Sequence, residues 1–199
     1  MAKPAHSLTL HIGIDEVAPP VWRRIQVDAD TTLRNLHHIF QAAFGWASSH
    51  LHQFHIEDDI YTMPDDDYML HLIEMRGRGL VDDRKAKLGQ LVHPGQQFVY
   101  LYDFGDSWAH TVNVESSTEG KGKLGYAVVI DGAGACPPED VGGPHGYTGF
   151  LEIIERRPRN QEARDMLEWA GGAFNARAFD KRSANAALLR MAANGWGKK

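Results

Sequence analysis

The sequence predicts an α+β protein: a mainly antiparallel sheet built from hairpins, one helix after the second strand packed on it, and a helical C-terminal part. Three observations carry this prediction. Apolar residues alternate with period two through much of the chain before residue 131. Short turn sequences join these stretches as hairpins. Helical spacing takes over only after a Gly- and Pro-rich stretch that ends near Thr148. Strands early and helices late argue against a doubly wound parallel sheet. The expected organisation is a single domain over residues 1–199, with an α+β core at 6–148 and C-terminal helices packed on it at 149–194.

The first strand is expected over His6–Asp15, where Leu8, Leu10, Ile12 and Ile14 face one way and Thr9 and His11 the other. Pro19-Pro20 breaks the chain before a second strand at Val21–Val27. Asp28, Asp30 and Thr31 offer a helix start. Leu33, Leu36, Phe40, Ala43 and Phe44 then recur at helical spacing until Gly45, a natural stop. His50–Ile56 and Ile60–Met63 flank an acidic turn and predict a hairpin. The segment from Pro64 to Gly95 reads as a long excursion with a helical turn near Lys85–Leu91. Gln97–Asp103 and Ser107–Glu115 predict a second hairpin, turned by Phe104-Gly105-Asp106. A further strand is expected at Gly125–Ile130, a loop at Asp131–Thr148, and helices at Phe150–Arg156, Asn160–Ala170 and Phe179–Met191.

Composition narrows the function classes. The 43% hydrophobic and 24% charged fractions are those of an ordinary globular chain, which argues against disorder. Cys136 is the only cysteine, so an intramolecular disulfide and a Cys-only zinc site are both excluded. No run of apolar residues is long enough to span a bilayer, and the start lacks a signal-peptide apolar region; a cytoplasmic protein without membrane contact is the expectation. The net charge of -5 and the absence of a Lys- or Arg-rich recognition helix give no strong nucleic-acid signal.

Functional groups concentrate in three segments. His50-Leu51-His52 on one strand would place both imidazoles on one face, where they could chelate a metal with a third ligand from elsewhere, or pack and hydrogen-bond at a sheet edge. Tyr102–His110 crowds Asp103, Asp106 and His110 around a tight turn, beside Trp108. Those carboxylates could bind a cation, raise the pKa of His110 and orient it as a base, or merely cap the turn. Gly134–Tyr147 holds Glu139 and Asp140 between Pro137-Pro138 and Gly142-Gly143, a stiff loop able to present acids or to satisfy its own backbone. Cys136 lacks a recognisable basic partner, which disfavours a nucleophilic role. His37 falls on the apolar face of the first helix, where a hydrogen-bonded core histidine is the expectation, and Arg23, next to Trp22, could clamp an anion or pair with Glu139 or Asp140.

Pro19–Arg24, Leu36-His37, Gly45-Trp46, His50–Phe54, Tyr102–His110 and Cys136–Gly143, in this order, resemble the plasmid pRiA4b open-reading-frame-three family, also met as passenger TnpR-like proteins of insertion sequences. The similarity runs from about Leu8 to about Leu189, with late departures at Arg157–Asn160 and Asn175-Ala176. The resemblance implies an α+β fold and a plasmid or mobile-element setting, and it brings no established reaction. The recombinase sense of the TnpR label finds no support in the residues. Ser7 sits in an apolar strand, and no histidine is followed by arginine at the His-x-x-Arg spacing.

Together these residues predict a polar cleft formed by Trp22, Arg23, His37, Trp46, His50, His52, Tyr102, Asp103, Asp106, Trp108, His110, Glu139 and Asp140. The preferred reading is a binding or accessory protein holding an unidentified ligand or protein partner. The alternative is a metal-dependent, hydrolase-like enzyme in which His50, His52 and His110 hold a divalent ion, zinc being the candidate, with Glu139 or Asp140 as base. The third reading is a purely structural scaffold.

Overall fold

The structure, a computed structural model, describes residues 5–63, 80–120, 124–156 and 160–195. The expected stretch at 64–79 lies outside the described residues. Eight strands form one sheet: β1 (Ala5–Ile14), β2 (Trp22–Asp28), β3 (His52–Ile56), β4 (Asp59–Thr62), β5 (Leu80–Asp82), β6 (Gln97–Tyr102), β7 (Trp108–Gly120) and β8 (Val128–Ala133). Their spatial order is β5-β4-β3-β6-β7-β1-β2-β8. Every neighbouring pair is antiparallel except β4 with β5. Among the described residues, the helices are α1 (Leu33–Phe44), the single turn α2 (Leu88–Leu91), α3 (Gly143–Arg156), α4 (Gln161–Trp169) and α5 (Lys181–Ala193). The protein is thus α+β with a mainly antiparallel sheet.

Local chemistry explains the elements. Leu8, Leu10, Ile12 and Ile14 of β1 are all buried, as their alternation requires. Thr32 starts α1, its hydroxyl accepting the Asn35 amide at 3.2 Å, in place of the expected Asp28, Asp30 or Thr31. Asp28 instead accepts the amides of Leu124 and Gly125. Gly45 ends α1 at φ 99°, a left-handed position that favours glycine. Phe40 drives the helix onto the sheet, with its ring 5.2 Å from Tyr100 and 6.2 Å from Phe54.

Several boundaries differ from expectation, and β7 runs on to Gly120, past the expected Glu115. β8 occupies Val128–Ala133 rather than Gly125–Ile130, because its pairing with β2 runs from Gln26 to Trp22. The loop expected at Asp131–Thr148 ends early, since α3 starts at Gly143, and Gly142-Gly143-Pro144 serves as a helix entry. The short strand β5 joins the edge of β4. It has too few residues for period two to reveal it.

The outer edge of β8 is closed by a side chain. Asn185 of α5 accepts the Val129 amide at 2.9 Å and donates to the Val129 carbonyl at 3.0 Å, as a neighbouring strand would. α5 also packs along α1. Register places the loops at one end of the sheet. His52 is opposite Tyr102, and Tyr102 is opposite Trp108, so the residues just before β3 lie beside the β6–β7 turn.

Phe40→Ala should lower stability by about 3–5 kcal/mol, the cost of an unfilled aromatic site, whereas Thr32→Ala should cost only about 1 kcal/mol. Urea unfolding of both variants checks this. Equal losses would contradict a core organised around the α1–sheet contact.

Candidate functional site

Three loops meet at the end of β3, β6 and β8: 45–51, 103–107 and 134–142. The Asp103 amide donates to the Leu51 carbonyl at 2.9 Å, which fixes the first loop against the second. The Gly142 amide donates to Asp106 Oδ2 at 3.0 Å, fixing the third against the second. Trp46 Nε1 donates to the Pro137 carbonyl at 3.0 Å, and the Ala47 amide to Glu139 Oε1 at 2.8 Å, joining the first and third. A Cβ on Gly143 would stand 2.3 Å from the Asp106 carbonyl oxygen, so only glycine permits this approach.

At the junction, His50 Nε2 faces Asp140 Oδ1 at 3.0 Å, Asp103 Oδ2 at 3.6 Å and Glu139 Oε2 at 3.7 Å. This nitrogen is buried and makes no hydrogen bond. The ligand atoms of His50, Asp103 and Asp140 all lie within 4.8 Å of one another. The other oxygens of Asp103 and Glu139 already have partners. Asp103 Oδ1 accepts the Gly105 amide at 2.9 Å, and Glu139 Oε1 accepts from Ala47. The Tyr102 hydroxyl accepts the Ser49 amide at 3.2 Å and donates to the Glu139 carboxylate, 3.2 Å from both oxygens. Burial, with the Glu139 carboxylate adding to it, pushes the Tyr102 phenol up to about 12, so it remains a donor.

Strain marks the same place. Ser48, Asp103, Ser107 and Asp140 all have positive φ, between 55° and 57°, without being glycine. Such backbone costs on the order of 1–3 kcal/mol per residue and gathers where a site dictates geometry.

The expected cleft divides into separate groups. His50, Tyr102, Asp103, Glu139 and Asp140 come together, with Asp106 bracing the loop and Trp46 and Trp108 packed behind, their rings 5.7 Å apart. The His50–His52 pairing on one strand face is not formed: His50 precedes β3, at a bend, and only His52 belongs to the strand. His52 turns into the interior, where Nε2 meets Asp83 Oδ2 at 2.8 Å and its ring stacks on His37 at 3.7 Å. Arg34 holds the other side of Asp83. The Tyr100 hydroxyl accepts from Gln41 at 3.0 Å and donates to His37 Nδ1 at 2.7 Å. His37 is thus the hydrogen-bonded core histidine expected of it. Sequence reasoning missed Asp83, whose only signal was its place just before the expected helical turn at Lys85–Leu91.

His110 is fully buried among Phe44, Trp46 and Tyr100. Its Nδ1 donates toward the Trp108 carbonyl at 3.0 Å, with the Tyr100 carbonyl at 3.3 Å. The expected carboxylate neighbour that would raise its pKa is replaced by backbone, and burial drives the pKa down to about 4. His50, His52 and His110 therefore do not form one ligand set. Arg23, expected near Glu139 or Asp140, instead donates to the carbonyls of Trp22, Ala43 and Ala133 and stacks on Phe179 and Phe44. Trp22 stacks on His11, with ring centroids 5.0 Å apart, and Arg24 lies over it. Burial pushes the Cys136 thiol well up, which removes its nucleophilic form. Ser7 is tied to Gln26 within the sheet.

An α+β sheet protein with a carboxylate–imidazole cluster where its loops meet is the class that this geometry defines. The chain belongs to the plasmid pRiA4b ORF-3-like protein family, whose model matches residues 6–183. It is 35% identical over 198 residues to the uncharacterized protein y4hQ of Sinorhizobium fredii (strain NBRC 101917 / NGR234), covering 98% of this chain and 96% of that one. The fold is similar to the crystal structure of the protein of unknown function MM3350 from Methanosarcina mazei Go1, with a TM-score of 0.77 and 30% identity over 90% of this chain and 98% of that one. Among the described residues, no helix is long and apolar enough to cross a membrane.

The buried histidines give a pH dependence. Desolvation lowers the pKa of His110 to about 4, of His37 well below its ordinary value and of His52 in the same direction. For Asp83, burial raises the pKa, but the bonds to His52 and Arg34 outweigh it and lower it overall. Below about 6.5 the unfolded histidines take up protons that the folded ones refuse. Stability is therefore complete above that pH and falls as pH drops toward 4, by about 3 kcal/mol on the order-of-magnitude scale for His110 alone. Urea midpoints from pH 7.5 to 4.5 should decline steadily. A flat profile would contradict the burial of neutral imidazoles.

Proposed function

We propose that the protein works through one divalent cation held by His50 Nε2, Asp103 Oδ2 and Asp140 Oδ1. The observation that carries this reading is the aim of two carboxylate oxygens: Asp103 Oδ2 and Asp140 Oδ1, neither committed to backbone or to Tyr102, converge on one buried nitrogen that makes no hydrogen bond. Three carboxylates at 3.0–3.7 Å from one imidazole nitrogen repel each other, and a bound dication removes that repulsion. Mixed nitrogen and carboxylate donors suit zinc or manganese better than calcium, which prefers oxygen alone. The backbone amides on the remaining Asp103 oxygen act as the outer partners that orient a ligating carboxylate.

This reading favours the cation-dependent alternative over a purely structural scaffold, because a buried imidazole nitrogen that makes no hydrogen bond gains a partner from a bound ion. The whole chain acts as one domain in this account, supported by a cluster of buried residues that, among the described residues, runs from Leu8 to Leu188. A plasmid or mobile-element role rests on the family's plasmid origin alone. A second reading has its own observation: the 3.0 Å His50–Asp140 separation is also an ion-pair distance. A protonated His50 would then serve as the cation, and the cleft would bind its partner without metal.

Calorimetric titration of metal-stripped, untagged protein with zinc and with manganese decides between them. One saturable site is expected, with affinity falling at least about tenfold in Asp103→Asn, a loss of about 1.4 kcal/mol. Saturation at 100 times Kd should stabilise the fold by about 2.7 kcal/mol in a thermal or urea measurement. No heat and no stabilisation would leave the metal-free reading.

A further inference from the structure

Resting on the cation reading, we propose that the site hydrolyses an uncharged acyl substrate, an ester or amide, with Glu139 as the general base for a metal-bound water. The ligand count leaves room for that water. Three side chains share the ligand sphere, and Asp140, the outermost, has 70% of its side chain exposed while Asp103 has 11%. The ion would thus be closed on the Asp103 side and open to solvent on the Asp140 side, as catalytic sites are and structural ones are not.

Glu139 stands where a base is needed. It lies outside the mutual 4.8 Å group, yet its Oε2 is 3.7 Å from His50 Nε2. The Ala47 amide and the Tyr102 hydroxyl fix its carboxylate, so it cannot swing away from a water on the ion. Asp140 is the weaker candidate for base, since its Oδ1 is the oxygen nearest the imidazole nitrogen and belongs to the ligand group.

Charge selects the substrate. His50, Asp103 and Asp140 with a dication are together neutral, and Glu139 and Asp106 leave the surroundings negative. Among the described residues, the ion pairs of Asp103, Glu139 and Asp140 are with His50, and no Lys or Arg is ion-paired to these three acids. Phosphoryl transfer needs such cations around its oxygens. A carbonyl needs only the ion itself.

The step balances without any other reactant. The water proton passes to Glu139, and the hydroxide oxygen bonds to the carbonyl carbon while the carbonyl π electrons move to its oxygen, next to the ion. Collapse restores the carbonyl, breaks the bond to the leaving oxygen or nitrogen, and Glu139 returns the proton to it. The products are a carboxylic acid and an alcohol or amine.

The test uses the full chain loaded with zinc, with p-nitrophenyl acetate and p-nitrophenyl phosphate as probes. Zinc-dependent turnover of the acetate and none of the phosphate is expected. Glu139→Gln should keep zinc affinity within about threefold by calorimetry yet lose about 10²–10⁴ in zinc-dependent rate, the range for removing a general base. In cobalt-loaded protein, the visible spectrum should titrate with the bound water near neutral pH, and Glu139→Gln should displace that titration. Zinc bound without zinc-dependent turnover, faster turnover of the phosphate, or an unimpaired Glu139→Gln overturns the hydrolytic inference and leaves the cation centre standing. Absence of zinc binding removes both.

Discussion

Negative charges cannot be gathered around one imidazole nitrogen unless something positive sits among them. His50 Nε2 stands at 3.0–3.7 Å from Asp140, Asp103 and Glu139, buried and without a hydrogen bond. That electrostatic demand organises the end of the sheet. The loops around it are tied to one another by backbone amides and by Trp46, and they hold left-handed residues that relaxed loops would avoid. A bound cation would complete the set and remove the repulsion among these acids.

The sheet makes the arrangement rigid. Antiparallel pairing of β3 with β6, and of β6 with β7, fixes where His50 and Asp103 emerge. α1 is held over these strands by Phe40 and by a buried polar seam running from Arg34 and Asp83 through His52 and His37 to Tyr100 and Gln41. Gln41 also accepts the Ser48 amide at 3.1 Å, so the same seam anchors the loop that carries His50. Buried polar groups are costly unless satisfied. Here they lock α1, the sheet and the first site loop in one register.

Much of the fold was legible because burial imposes periodicity. Leu8 to Ile14 alternated and became β1, and Leu33 to Phe44 recurred at helical spacing and became α1. The start of α3 was hidden because Gly142-Gly143-Pro144 carries turn chemistry that also suits a helix entry. The site was legible in part. Asp103, Glu139 and Asp140 stood out as acids in stiff loops, and they do meet His50. The grouping of histidines was not legible, because His-x-His points to one face only if both residues are in the strand, and His50 precedes it. Arg23 and Asp83 were equally opaque. A buried arginine bonded to carbonyls and a carboxylate shared by His52 and Arg34 are tertiary facts with no local signature.

Anomalous X-ray diffraction from crystals grown with manganese tests the central claim most directly. The account predicts one strong anomalous peak within coordination distance of His50 Nε2, Asp103 Oδ2 and Asp140 Oδ1, with Glu139 beside an additional water. A compact cluster of His50 and its carboxylates with no anomalous density, or a peak bound only by other residues, would contradict it.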